Sequence, residues 1–290
     1  MKILLTGADG FTGRLFAARA VAAGHEVVPL RVDLRDREAV LQQVLTSAPE
    51  AVLHLAAISF VGHADENAFY AVNVIGTTNL LAALTKLPKS LHRVMLASSA
   101  NIYGNSKRSP IAETEEPAPV SHYAVSKLAM EHMCRAYGDR LPSVITRPFN
   151  YTGPGQDVNF VIPKLVDHFS RQAPTIALGN IQVEREFNDV QMVCDAYLQL
   201  LQYGEPGQTY NVCSGQPFTL QYVIDRLTLI TGHSIKVEVN PAFVRTNEVH
   251  RLCGSPAKLQ SLLASHGATL ATPSLEDTLR RMLAAARGKS

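Results

Sequence analysis

The first 150 residues switch repeatedly between two hydrophobic periods. Short apolar runs read as buried strands: "KILLT" (2–6), "EVVPL" (26–30), "AVLHLA" (51–56), "RVMLAS" (93–98) and "SVITRPF" (143–149). Stretches with apolar residues three and four apart lie between them and read as helices. They are "TGRLFAARAVAAG" (12–24), closed by Gly24, "REAVLQQVLTSAP" (37–49), stopped by Pro49, "NAFYAVNVIGTTNLLAALTK" (67–86) and "YAVSKLAMEHMCRAYG" (123–138). Strands alternating with helices predict a parallel sheet covered on both faces, the doubly wound α/β class.

The alternation weakens after Phe149. Turn-rich segments appear at 151–159, 171–175 and 203–208, and helical patterns recur at 219–231, 256–265 and 274–286. The pattern predicts a Rossmann-like, doubly wound parallel sheet with a smaller C-terminal α/β substrate-binding lobe. The dinucleotide-binding part is placed at 1–157 and also receives a strand and a helix from about 181–213; 158–290 forms mainly the smaller lobe.

Composition narrows the function classes. Of 290 residues, 46% are apolar and 18% charged, an ordinary globular balance. A net charge of +2 is too small to suggest a nucleic-acid or membrane surface. Cys134, Cys194, Cys213 and Cys253 are far apart in sequence, with no metal spacing, so no metal and a reducing compartment are expected. The apolar run after Lys2 ends at Thr6-Gly7, too short for a signal peptide, and no stretch reaches membrane-spanning length. A cytoplasmic protein is the expectation.

Two short stretches carry the chemistry. "TGADGFTG" (6–13) places Gly7, Gly10 and Gly13 between the first strand and the first helix. A pyrophosphate needs backbone N–H donors and no Cβ in its way, which a glycine loop at a helix N-terminus provides. The second strand ends "PLRVDLRD". Arg31 stands where a 2′-phosphate would lie and favours NADP; Asp33, two residues on, leaves NAD open. The link to the next helix is short, so "VDLRD" is expected to meet the adenine directly.

In "SHYAVSKLAMEHM" (121–133), Tyr123 and Lys127 are four residues apart on a helix and share a face. Reduction of a carbonyl needs a proton for the developing alkoxide, and an ammonium near a phenol lowers the phenol's pKa. A second Tyr-x-x-x-Lys pair, Tyr103 and Lys107, contains Gly-Asn and reads as a turn. Ser99, in "LASSANIYG" after the fourth strand, stands at the carboxyl edge where ligands bind in open sheets.

Taken together, the glycine loop, "HLAA" (54–57), "NVIGTTNLL" (73–81), "SSANIYG" (98–104), "YAVSK" (123–127), "RPFNYTGPGQ" (147–156) and "YNVCSG" (210–215) resemble the extended short-chain dehydrogenase/reductase family, of the NAD-dependent epimerase/dehydratase type. The resemblance spans nearly the whole chain. It implies Ser99, Tyr123 and Lys127 as the catalytic set, with Tyr123 and Lys127 also touching the cofactor. It implies cofactor contacts from Gly7, Gly10, Phe11, Thr12, Gly13, Arg31, Asp33, Leu34, Leu55, Ala56, Ala57 and Pro148.

Substrate contacts are implied for Asn101, Asn150, Val161, Lys164, Asn180 and Arg185; a salt bridge from Arg185 to Glu184 or Glu186 is the plainer alternative. "VRTNEVHRLCGSPAKL" (244–259) resembles the stretch of the branch acting on GDP-linked sugars, and suggests Arg245 for phosphate and Glu248 for the nucleotide ribose. Thr246 replaces the proline of that pattern. The implied reaction is NADPH-dependent, with NADH possible. It reduces the 4-keto group of a GDP-linked 6-deoxyhexose, with either configuration at C4. A 4-epimerase with tightly held NAD is the alternative, and a non-enzymatic cofactor-binding regulator a third. The helices at 65–86 and 121–139 are where such enzymes pair, so a homodimer is expected.

Overall fold

The computed structural model describes residues 1–59, 65–240, 243 and 249–288. Its centre is a six-stranded, wholly parallel sheet. The strands are β1 (Lys2–Thr6), β2 (Glu26–Leu30), β3 (Ala51–His54), β4 (Arg93–Ala97), β5 (Ser143–Pro148) and, arriving late, the strand Thr209–Val212. From one edge the order is β2, β1, β3, β4, β5, Thr209–Val212. The winding reverses between β1 and β3, so the loops after these strands part and leave a crevice at their carboxyl ends.

β2 is the outer strand and is only partly buried, which suits Pro29 within it. Helix α1 (Phe11–Ala22) packs on one face of the sheet and α2 (Arg37–Ser47) on the other. Gln43 of α2 donates to the Pro29 carbonyl and accepts from the Arg31 N–H, which satisfies backbone groups at this edge. Asp36 caps α2 by accepting from the Ala39 N–H.

The long helical pattern at 67–86 is interrupted in the structure. Helix α3 (Glu66–Tyr70) leads into a π-helical turn at Ala71–Gly76, and α4 (Thr77–Leu84) follows. Buried Asn73 lies in the wide turn. Its amide exchanges hydrogen bonds with both backbone groups of Ile58 and donates to the Ser126 hydroxyl at 3.0 Å. Gly76 admits Leu34, whose Cβ would lie 2.8 Å from a Cβ placed there. A hydrophobic pattern does not encode such a widening, because the apolar face continues through it. Helix α5 (His122–Arg135), capped by Ser121, carries Tyr123 and Lys127 beside β4 and β5.

The chain leaves the sheet through β6 (Tyr151–Thr152). The smaller lobe contains α6 (Val161–Ser170), β7 (Thr175–Leu178), β8 (Glu184–Glu186) and β9 (Asn188–Asp189). Helix α7 (Val190–Tyr203) then returns to the sheet, and β10 (Thr209–Val212) is its sixth strand. β11 (Pro217–Thr219), α8 (Leu220–Thr231), β12 (Lys236–Val239) and β13 (Arg251–Leu252) complete most of the lobe. α9 (Ala257–Ser265) packs Leu259, Leu262 and Leu263 into the core under the sheet, and α10 (Leu275–Arg287) goes back to the lobe beside α6 and α8. Buried Asp189 fastens that last helix: it caps α7 through the Gln191 N–H and accepts from Thr278 and Arg281 of α10. Among the described residues no helix is long and apolar enough to cross a membrane.

Candidate active site

The first wall of the crevice is the turn after β1. Gly7 has φ +69°, and a Cβ there would sit 2.8 Å from the Ala56 N. A Cβ on Gly13 would lie 2.0 Å from the Gly7 carbonyl oxygen. The loop therefore closes on itself only with glycine at both places. α1 is preceded by Gly10 at its cap position, with no side chain capping it. The first N–H groups of a helix have no partner inside the helix, so donors and the positive end of the dipole remain for an anion.

The second wall is the loop after β3. Its Ala56 N–H donates to the Thr6 hydroxyl at 3.0 Å, and Thr6 and Thr77 flank the fully buried His54 at 2.7 and 2.8 Å. Burial, reinforced by the charge of Lys127, pulls His54 down to about 3, so the imidazole stays neutral and serves as a scaffold.

The floor and far wall hold the hydroxyl chemistry. Ser99 starts the short helical turn Ala100–Tyr103, accepting from the Asn101 N–H, and its hydroxyl lies within hydrogen-bonding reach of the Tyr123 phenol. Tyr123 is buried, and burial pushes its phenol up to about 12 against the opposing Ser99 bond, with Tyr151 adding to the rise. Lys127 donates to the Ala97 carbonyl at 2.7 Å; burial brings its ammonium down to about 8, opposed by Glu131. The expectation that the ammonium lowers the phenol's pKa is thus not the balance in this cleft. Burial is the largest influence on the phenol, with the Ser99 hydroxyl opposing it, and Tyr123 holds its proton at neutral pH.

These walls enclose about 410 Å³, within the range of small-molecule sites. The cleft is lined by Gly7, Gly10, Phe11, Thr12, Gly13, Leu55, Ala56, Ala57, Ser99, Asn101, Tyr123, Lys127, Pro148 and Asn150, all expected from the sequence. Tyr103 and Lys107 are separated as the turn reading requires: the first is buried, the second exposed.

Other expected residues stand elsewhere. Arg31 is exposed, 3.4 Å from the Asp9 carboxylate. The Asp33 carboxylate is held by the Arg35 guanidinium at 2.6 Å, which brings it down to about 2. Leu34 is buried in the core on the α2 face of the sheet, against Gly76. Val161 and Lys164 lie on α6; Lys164 donates to the Ala177 carbonyl and sits over the Phe243 ring. Asn180 accepts from the Gln182 N–H. Arg185 donates to the carbonyls of Glu184 and Val249. The Glu184 carboxylate pairs with Arg251, and buried Glu186 accepts from the N–H groups of Ser214, Gly215 and Gly254. Arg245 and Glu248 lie outside the described residues.

The cleft also contains residues that the sequence reading passed over. Tyr151 bonds the Thr12 hydroxyl at 2.9 Å and stacks on Phe11, tying the glycine loop to the crossing strand. Its position directly after Asn150 in "RPFNYTGPGQ" was the available signal. Tyr197 reaches the floor from α7 and carries no local signal at all. Gln156, Asp157 and Phe160 come from the loop before α6.

The family model described as GDP-mannose 4,6 dehydratase matches residues 30–266. The chain belongs to this family. It is one of the extended short-chain dehydrogenases/reductases, and its parallel sheet has the Rossmann-like arrangement of that group. A relative named GDP-6-deoxy-D-mannose reductase, from Pseudomonas aeruginosa, is 37% identical over 89% of each chain. One named GDP-6-deoxy-D-talose 4-dehydrogenase, from Aggregatibacter actinomycetemcomitans, is 34% identical over 91% of this chain and 92% of its own. The solved structure of RMD from Pseudomonas aeruginosa complexed with NADPH superimposes with a TM-score of 0.91 at 34% identity, covering 100% of this chain and 99% of the other. Within this family of enzymes, the Ser99–Tyr123–Lys127 cluster occupies the carboxyl edge of the sheet.

Proposed function

We propose that the enzyme reduces the 4-keto group of GDP-4-keto-6-deoxy-D-mannose, with NADPH as the preferred reductant and NADH possible, to GDP-D-rhamnose or its talose epimer for polysaccharide precursor synthesis. The observation that carries this reading is the Ser99–Tyr123 hydroxyl pair in the cleft, with Tyr123 kept protonated beside buried Lys127. The glycine turn fits a dinucleotide, because it closes tightly only with glycine at 7 and 13 and so brings the uncapped start of α1 to the cleft. The first turn of α1 would hold its pyrophosphate, and Lys127 its nicotinamide ribose. A reduced nicotinamide bound there supplies the hydride.

Ser99 then hydrogen bonds the carbonyl oxygen, and Tyr123 gives that oxygen a proton as its charge develops. Lys127 stabilises the phenolate left behind. Dehydration would require an acid–base carboxylate next to Ser99, and Ala100, Asn101 and Ile102 follow it instead. Asp157, the carboxylate among the cleft residues, is exposed on a loop and accepts from the Asn159 N–H. Asn101 and Asn150 would meet the sugar and diphosphate. Val161 and Lys164 would also contact the substrate, Asn180 would lie beside the nucleotide, Arg185 and Arg245 would meet its phosphates, and Glu248 its ribose.

Exposed Ile75, Val125 and Met133 on the π turn and α5 support a homodimer through this face. Four free, buried cysteines suit a cytoplasmic location.

The test is stoichiometry: one reduced nicotinamide oxidised per GDP-4-keto-6-deoxy-D-mannose consumed. Dehydration of GDP-mannose without reductant, or C4 inversion of an intact sugar nucleotide with bound NAD, would replace the assignment. The pH profile follows from the site. With Lys127 near 8 and Tyr123 near 12, kcat/KM is expected to fall as pH rises through about 8, where the ammonium loses its proton while the phenol keeps its own. A flat profile to pH 10 would contradict this role for Lys127. Arg31→Ala is expected to lower the NADPH-to-NADH efficiency ratio by roughly tenfold, the effect of losing one phosphate-binding guanidinium; an unchanged ratio would make Arg31 a surface residue paired with Asp9.

A further inference from the structure

Directly behind the cleft lies a buried polar network. Tyr123, Lys127 and Glu131 follow one another at four-residue steps along α5. Glu131 is fully buried and takes a two-pronged bond from Arg147, Nε to Oε1 at 2.9 Å and Nη2 to Oε2 at 2.8 Å. Arg135, half-exposed, adds a third bond at 3.0 Å.

Arg147 sits in β5, one residue before Pro148 of the cleft. Its remaining nitrogen, Nη1, donates to the Tyr103 phenol at 2.8 Å and to the Glu113 carbonyl at 3.2 Å. Tyr103 is the last residue of the turn that Ser99 starts.

The directions of these bonds leave no freedom. A guanidinium only donates, so the Tyr103 oxygen accepts from Arg147 and spends its single proton on the Asn211 carbonyl oxygen at 2.8 Å. The Asn211 amide is then turned so that its Nδ2 donates to the Ile111 carbonyl at 2.9 Å. Tyr103 also stacks on Phe149. One guanidinium thus joins the helix of Tyr123 and Lys127, the strand leading to Asn150, and the turn of Ser99.

A buried ion pair is poor evidence of stabilisation, since desolvation consumes most of its attraction and apolar replacements are commonly as stable. A geometric role accounts better for its place. We propose that Glu131, Arg147 and Tyr103 form a positioning relay that holds the Ser99 turn at working distance from Tyr123. The relay sets kcat without touching substrate or cofactor. This rests on the reductase reading for its assay, but its geometry can be tested without it.

The first test is the pair of variants Tyr103→Phe and Glu131→Leu/Arg147→Met. Tyr103→Phe removes one oxygen and leaves the ion pair intact. The double variant replaces both buried charges with apolar groups of similar size. In each folded variant kcat is expected to fall, roughly 10- to 100-fold in the double variant as catalytic groups shift by a fraction of an ångström to an ångström. KM for both ligands should stay within about threefold of wild type, because the groups that bind them remain. A kcat equal to wild type in folded Tyr103→Phe, with only thermal stability lowered, would overturn the proposal. That single variant decides the matter should the double one fail to fold.

The second readout needs no substrate. With ¹³C-labelled tyrosine, the Tyr123 Cζ resonance reports the phenol's surroundings, the Ser99 hydroxyl among them. It is expected to move in Tyr103→Phe, and an unmoved resonance would overturn the proposal. If wild-type protein does not reduce the GDP-linked ketone, the reductase reading fails while the resonance still judges the relay.

Discussion

Tyr123→Phe is expected to reduce kcat by roughly 10²- to 10⁴-fold, the range for loss of a positioned general acid. That corresponds to about 3–5 kcal/mol of transition-state stabilisation. The substitution removes one oxygen from a buried ring that packs near Phe69, so little volume changes. Cofactor affinity should therefore stay within about threefold, since the glycine loop and Lys127 are untouched. Lys127→Ala should damage both, because it removes the group assigned to the ribose as well as the charge behind the phenol. The measurement is steady-state kinetics together with NADPH fluorescence titration. Near-wild-type turnover in Tyr123→Phe would remove the phenol from the chemistry.

Gly13→Ala is expected to abolish measurable dinucleotide binding, weakening it on the order of 100-fold or more, the loss that accompanies displacement of positioned groups by about an ångström. Two effects oppose each other here. Alanine is favoured over glycine inside a helix by about 1 kcal/mol. The new Cβ, however, would lie 2.0 Å from the Gly7 oxygen and 2.8 Å from Ala8 Cα, both backbone atoms. A methyl group cannot occupy that space, so the turn must open, and overpacking of this kind costs about 1–3 kcal/mol or more. The steric term wins, and the turn that presents the helix N-terminus is the part that moves. Gly24→Ala is the control: its φ is +81° but nothing lies within 4 Å of the added Cβ, so it should lower stability modestly and leave cofactor binding alone. Equal cofactor affinity in Gly13→Ala and wild type would show that the loop does not cradle a pyrophosphate.

The contrast between these two sites and the rest of the cleft follows the range of the interactions involved. The glycine loop, the Tyr123–Lys127 step and Ser99 at the end of β4 were legible because each is local: a turn, an i, i+4 spacing, a strand end. The alternation of strands and helices over the first 150 residues was legible for the same reason. The pairing of Asp33 with Arg35 involves neighbours, yet a string of residues does not say that this carboxylate turns to its own loop. The π turn around Asn73 was invisible, because it answers to Ile58 and Ser126, far away in sequence.

By itself, then, the sequence determined the doubly wound class and the glycine turn, since backbone sterics and helical spacing act over a few residues, and its resemblance to a family pointed to Ser99, Tyr123 and Lys127 as the proposed proton-moving set. Only the tertiary structure decided that Tyr123 keeps its proton, that Tyr151 and Tyr197 share the cleft, and that Glu131, Arg147 and Tyr103 bind the site together from behind. Those outcomes depend on desolvation and on bonds between residues up to 139 positions apart, as from Thr12 to Tyr151. Burial is a property of the whole packed chain, and no local pattern carries it.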